Sequence, residues 1–338
     1  MGGKHNSWKS WGTMASNRIL AVVLSLIIIL AVTGAIVWYQ FGAPENGNPG
    51  TISIIDDAGR NVTITSYPQR IVSLAPSTTE LLFGVGLSDR TVGTVSYAGY
   101  ATDIKNTITS NNMTVVGTFN KVSVEMVIGL QPDLILASGS YQQSLAAKFE
   151  EQGKTVVMLN PTKFSGILTD ITLLGKITGE DENAAALVNG MQSKAQEIIA
   201  KTTGLNRSGV YVEYFVDKDG YSTYGANSYV TELLDMAGGF NIFANVTGQY
   251  IETSTEEVLK ANPAIIVISK GVMSTLAGIT PDSIRARPSW NHTSAVQNNK
   301  IYEVDEALLT IWGPRIVDGL ETLAELIHPE VLNATATS

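Results

Sequence analysis

Residues Gly117 to Ser138 read GTFNKVSVEMVIGLQPDLILAS. A glycine opens a loop carrying Phe119, Ser123 is placed to start a short helix, Pro132 stops it, and an apolar run to Ser138 has the character of a buried strand. The same succession returns 131 positions later, at Gly248 to Ser269, as GQYIETSTEEVLKANPAIIVIS. Seven of the 22 pairs are identical, among them Gly117/Gly248, Ser123/Ser254, Glu125/Glu256 and Pro132/Pro263, and Phe119 faces Tyr250, aromatic for aromatic. Such a period is longer than the roughly 20–50 residues of solenoid and propeller repeats. It predicts instead two similar α/β lobes, each presenting one loop and one helix toward a shared face.

The flanking sequence fits that plan. Thr51 to Thr65 alternates and turns at Asp57-Ala58-Gly59, a hairpin signal. Arg70 to Ala75 is a short apolar strand, and Pro76-Ser77 opens a helix in which Ser77 and Glu80 have capping-box spacing. Strands and helical segments go on alternating, which predicts parallel-type sheets. Ser165 to Thr203 is the longest helical stretch, broken near Gly179. Its second half places Ala185, Leu187, Val188, Met191, Ala195, Ile198 and Ile199 mostly on one face. Residues 51–178 are therefore assigned to an N-terminal lobe, 179–204 to one long bridging helix and 205–331 to a C-terminal lobe. In that lobe Tyr221 to Tyr229 reads as a Tyr/Gly-rich loop, and the closing loop Ala307 to Gly313 precedes a helix from Pro314, since proline suits a first turn.

Ahead of the lobes, residues 1–18 carry Lys4, Lys9 and Arg18 and no acid, and Ile19 to Tyr39 holds no charge. At about 1.5 Å per residue this run spans the roughly 30 Å of a hydrocarbon core. It is expected to be an N-terminal transmembrane helix, with the basic tail in the cytoplasm and the rest outside. A cleaved signal peptide ending near Thr33-Gly34-Ala35 is the competing reading. Residues 40–50, QFGAPENGNPG, are a flexible linker. Beyond residue 18 the chain has 19 basic and 31 acidic side chains, near −12, which argues against nucleic acid as a partner. With no cysteine and three scattered histidines, His5, His292 and His328, no thiolate or histidine metal site is expected. There is no Gly-x-Ser-x-Gly elbow and no phosphate loop, so neither acyl transfer nor ATP hydrolysis is expected of this chain.

Arg70-Ile-Val-Ser-Leu-Ala-Pro-Ser-Thr-Thr-Glu80, Pro132-Asp133-Leu134, Gly238-Gly239-X-Asn241, Ala295-Val296 with Tyr302, and Gly313-Pro314-Arg315 stand in an order that resembles the ABC-transporter solute-binding proteins for cobalamin, ferric siderophores and haem. The resemblance covers about Thr51 to Pro329. It implies two α/β lobes joined by one rigid helix, with ligand in the cleft between them. It also implies a permease dimer and its cytoplasmic ATPase as partners, no catalysis and no resident cofactor. Glu125 and Glu256 match the positions at which family glutamates, one per lobe, meet arginines of the membrane subunits. A carboxylate in a first helical turn is also favoured by the helix dipole, by about 0.3–1 kcal/mol, and that simpler role stays open. The trait shared with known binders extends to aromatics at Tyr97, Phe119 and Tyr250.

Read from their own context, Tyr97, Tyr100, Phe119, Tyr224, Tyr250 and Trp312 all fall in loops after or between strands, where α/β crevices bind ligands. Aromatic faces suit a large planar ligand such as a corrinoid or an iron chelate. Packing in the core is the alternative for each of them. The segment Leu308 to Trp312 lacks the charges that some cobalamin binders carry there, so cobamide, ferric siderophore and haem stay in contention. A membrane-anchored enzyme on the same scaffold would need a cluster of titratable groups that the sequence does not offer.

Overall fold

The computed structural model describes residues 50–216 and 220–332. The tail 1–18, the apolar run 19–39 and all but the last residue of the linker lie outside the described residues. No helix among the described residues is long and apolar enough to cross a membrane.

β1 (Ile52–Ile55) and β2 (Asn61–Ile64) form a separate antiparallel hairpin, closed as expected at Asp57 to Gly59. β3 (Ile71–Ser73), β4 (Thr91–Ser96), β5 (Thr114–Thr118), β6 (Lys121–Val122), β7 (Leu134–Ser138) and β8 (Val156–Leu159) make one sheet in the order β6-β5-β4-β3-β7-β8. All its pairings are parallel except that of the edge strand β6. Every residue of β7 and β8 is buried, because helices cover both faces of a parallel sheet and its strands must be apolar throughout.

The second sheet uses β9 (Gly209–Val216), β10 (Tyr221–Tyr224), β11 (Phe240–Asn241), β12 (Tyr250–Thr253), β13 (Ile265–Lys270) and β14 (Ile301–Asp305), in the order β12-β10-β9-β13-β14 with β11 beside β9. β9, β13 and β14 run parallel, but β10 is antiparallel to both β9 and β12, so this sheet is mixed. Tyr221 to Tyr224 is thus a strand and not part of a loop. Its Tyr and Thr side chains suit a pleated surface, and pairing on both edges overrides the nearby glycines.

The repeat read in the sequence is a repeat of backbone conformation. Gly117 and Gly248 take φ of 136° and 144°, and Gln131 and Asn262 take φ of 50° and 46° just before the two prolines. A Cβ on Gly117 would lie 2.1 Å from the Lys121 carbonyl oxygen, so only glycine fits that turn. Ser123 Oγ accepts from the Met126 N–H and Ser254 Oγ from the Glu257 N–H, each at 3.3 Å, which caps both short helices.

Between the sheets the chain forms helices Phe164–Thr178 and Asp181–Thr202, separated by left-handed Gly179. The second packs on the first and on the Ile316–Ile327 helix. Its buried stripe is Ala184, Met191, Ala195, Ile198 and Thr202. Ala185, expected inside, is exposed, because the close approach is made one residue earlier, where Gly175 leaves room for Ala184.

Three further expectations are corrected. Ser77 caps nothing, and Glu80 reaches across the chain to Arg315 instead of back to its own helix start. Glu306 to Thr310 is a turn of helix, so the closing loop shrinks to the residues after it. The last long helix starts at Ile316, with Pro314 two residues outside it. The Gly-Gly-X-Asn motif has a structural role: Asn241 donates to the Tyr224 carbonyl at 2.7 Å, and Gly238 has φ of 79° against His328.

Candidate functional site

A cavity of about 920 Å³ opens between the two halves. Much of its wall is made by segments that follow parallel strands. Ala75 to Ser77 follow β3, Ser96 to Ala98 close β4, and Thr118 to Asn120 end β5. Ser138 to Tyr141 end β7, Asn160 follows β8, Val272 and Met273 follow β13, and Glu306 follows β14. This is the carboxyl-end crevice that open α/β sheets offer ligands.

Four of the six candidate aromatics line it: Tyr97, Phe119, Tyr250 and Trp312. Tyr97 stands edge-on to Tyr100 with ring centroids 5.4 Å apart, and Phe119 stacks on Tyr141 at 6.1 Å. Tyr250 remains 48% exposed and leans on Tyr214 and Tyr224, at 5.3 and 5.6 Å. Tyr100 and Tyr224 do not line the cavity. Tyr100 is buried, with its hydroxyl 3.1 Å from Thr79 Oγ1, because the turn after β4 folds it under Tyr97. Tyr224 is 2% exposed, since its strand lies inside the sheet and Tyr250 covers it. Both support the wall from behind. His292 is exposed and away from the lining, whereas Trp290 is fully buried, as packing required.

Sequence reading missed Tyr141, Tyr229, Gln249 and Glu306 among the lining residues. Tyr141 is 65% exposed at the mouth, and Tyr229 fixes the opposite wall by donating to the Thr310 carbonyl at 2.7 Å. Tyr141 reads in the sequence as the first residue of a helix, and Tyr229 as the residue where the Tyr/Gly-rich loop gives way to one. Counting every residue just past a parallel strand would have found Tyr141 and Glu306. The buried Gln142 clamps three strand ends together. Its Nε2 donates to the carbonyls of Leu74 and Phe119, at 2.8 and 3.1 Å, and its Oε1 accepts from the Ser138 N–H at 2.9 Å.

Glu306 is the one charged side chain among the described lining residues. Burial pushes its carboxyl upward, the Val272 N–H pulls it back, and Asp305 adds to the rise. It seats against Gly271, where a Cβ would collide with its carboxylate. Glu125 and Glu256 lie outside the cavity, both exposed, each at the second residue of its short helix. Neither carboxylate has a hydrogen bond or ion pair among the described residues. The capping box in the second half is completed by Glu257, which bonds the Ser254 N–H at 3.0 Å.

A family model described as periplasmic binding protein matches residues 71–308. The chain belongs to the periplasmic binding protein family. Members of this family bind solutes for transport and are not enzymes. An ABC transporter substrate-binding lipoprotein of Bacillus subtilis, itself uncharacterized, is 32% identical and covers 82% of this chain and 86% of the relative. A cobalamin-binding protein of Halobacterium salinarum is 28% identical across 81% of this chain and 73% of its own length. The periplasmic vitamin B12-binding protein of Vibrio cholerae superposes with a TM-score of 0.64 at 22% identity, over 80% of this chain and 99% of that one, a likeness of fold.

Proposed function

We propose that this periplasmic binding protein is the extracytoplasmic component of an ABC importer and captures a metal chelate, a cobamide first among them, for delivery to the permease dimer and its cytoplasmic ATPase. The observation that carries this reading is the cavity itself. Its aromatic walls come from both halves, and the repeat partners Phe119 and Tyr250 each contribute one ring. The names of the Halobacterium and Bacillus relatives support the ligand and the transporter respectively. A ferric siderophore or haem is the alternative cargo. In this reading residues 51–178 and 205–331 act as lobes, and 179–204 is the rigid bridge that lets them close on ligand.

Phe119→Ala and Tyr250→Ala should each weaken ligand binding by about 1–3 kcal/mol while leaving the fold intact, since stacked aromatics dominate such contacts. Calorimetric titration with cyanocobalamin, haemin and a ferric hydroxamate tests this and ranks the cargo. Unchanged affinity in both variants would sink the planar-ligand reading.

Glu125 and Glu256 are assigned to docking, one carboxylate per lobe against basic patches of a two-fold permease. Being exposed, each pair should contribute only about 0.2–1 kcal/mol, and its effect should fall on association more than on depth of affinity. Glu125→Arg and Glu256→Arg should leave ligand affinity untouched and slow transport in reconstituted vesicles, the double variant most. Normal transport by the double variant would return both residues to a helix-start role.

With no cysteine to carry a lipid, the uncharged run 19–39 is assigned the membrane tether. The protein should stay with membranes through carbonate extraction. A mature N-terminus near Ile36 by mass spectrometry would establish cleavage in its place.

A further inference from the structure

The cavity is lined by neutral groups and is short of cations. Among its described lining residues none is lysine, arginine or histidine; the polar groups are hydroxyls and the amides of Asn120, Asn160 and Gln249, and the single charge is Glu306. That carboxylate is held in place on two sides. The Val272 N–H lies near enough to pull its pKa down, and Gly271 admits it where any side chain would collide. It has no cationic partner among the described residues, and Asp305 precedes it in the chain with its side chain accepting from the Ala307 N–H at 2.9 Å. Arg315, which interacts with Asp305 and Tyr97 on this side of the fold, is already committed to Glu80 and stands outside the lining.

We infer that the cavity selects metal chelates carrying no net negative charge, and that Glu306 sets this selectivity. The inference rests on the chelate reading of the site and deepens it. A ligand carboxylate or catecholate entering this cleft would lose water, meet no compensating cation and approach a fixed carboxylate. Taking an ion out of water without a partner is unfavourable, and a like charge nearby adds to the loss. A neutral or cationic chelate bearing amide N–H groups meets the reverse: acceptor oxygens on the walls and one carboxylate able to take a strong, charge-assisted hydrogen bond. Discrimination of this kind works by rejection of the wrong ligand as much as by attraction of the right one.

The test compares ligand pairs that differ in charge and little else, on the full-length protein by calorimetry. One pair is cyanocobalamin and a monocarboxylate made by hydrolysing one of its peripheral amides; the other is haemin and its dimethyl ester. In each pair that binds, the neutral-side-chain form should bind at least about tenfold tighter, a modest margin for the one charge that separates the corrinoids and the two that separate the haemins. Glu306→Gln keeps an acceptor for the Val272 N–H and should narrow that margin severalfold without lowering the melting temperature. Met273→Arg, at the exposed rim of the same wall, should narrow it by supplying the missing cation and so checks the result without touching Glu306. Equal binding of the two members of a pair, or a margin that neither variant moves, would overturn this inference alone. Failure of all four probes to bind would overturn the chelate reading and the inference with it.

Discussion

Replacing Arg315 with alanine is expected to cost about 3–5 kcal/mol of stability at neutral pH, the penalty of stranding a buried charge. Its partner Glu80 lies 3% exposed on the Pro76–Gly84 helix. The guanidinium holds it through two hydrogen bonds, one of them Nε to Oε2 at 3.0 Å, and also reaches the Gly99 carbonyl at 3.3 Å. Burial raises the Glu80 carboxyl and Arg315 opposes the rise. Without Arg315 only the rise remains, so the folded pKa moves further above the unfolded value. The loss then grows as pH climbs through and beyond the carboxylate range, and acid, which protonates Glu80, relieves it. Denaturant melts of Arg315→Ala near pH 7 and near pH 4 measure both effects. Equal losses at the two pH values would mean that packing of the arginine stem, and not the charge, is what matters. Ligand affinity should fall as well, because Pro76 and Ser77 on one side of this pair and Trp312 on the other line the cavity.

That ion pair also marks where sequence reading stops. Glu80 three residues after Ser77 satisfied a local rule, and local rules cannot see a partner 235 positions away. The short helices flanked by Ser123 and Pro132, and by Ser254 and Pro263, were legible because caps and stops are local chemistry. The Gly179 break was legible for the same reason. Tyr221 to Tyr224 was misread because its strand is made by neighbours on both edges, not by its own composition. At the site, Phe119 and Tyr250 announced themselves by recurring at the same place in both repeats. Tyr100 and Tyr224 shared their residue type and their proximity to strand ends but turn inward, and nothing short of the backbone path separates the two kinds. Glu306 carried no motif at all. Only its position one residue past β14 places it in the crevice.

Asp170→Asn should stabilise the protein, by up to about 4 kcal/mol at pH 7 on a linkage argument. Asp170 sits on the Phe164–Thr178 helix, 2% exposed beside the buried Ile167, Ile171 and Leu174. Its Oδ2 has no hydrogen-bond partner among the described residues, and no cation compensates it. Burial first, and then the neighbouring Asp57, raise its carboxyl to about 9. Asp57 is itself fastened behind the cavity wall, accepting from the backbone N–H of Asn160, a lining residue. Asp170 is therefore protonated in the folded protein at neutral pH and ionised in the unfolded chain. Folding takes up a proton, so this group's contribution is fully present below its unfolded pKa of 3.8 and is lost as pH rises toward about 9. The slope is that of one proton, about 1.4 kcal/mol per pH unit. Asparagine reproduces the neutral acid, with an N–H donor for Asp57, and has no proton to lose. Urea melts of both proteins at about pH 5 and pH 7 isolate the effect, since every other titration cancels in the difference. The advantage of the variant should widen by about 3 kcal/mol over those two units. A difference that stays flat would mean that Asp170 ionises in place, and that the orphaned oxygen has found a cation or water to hold it.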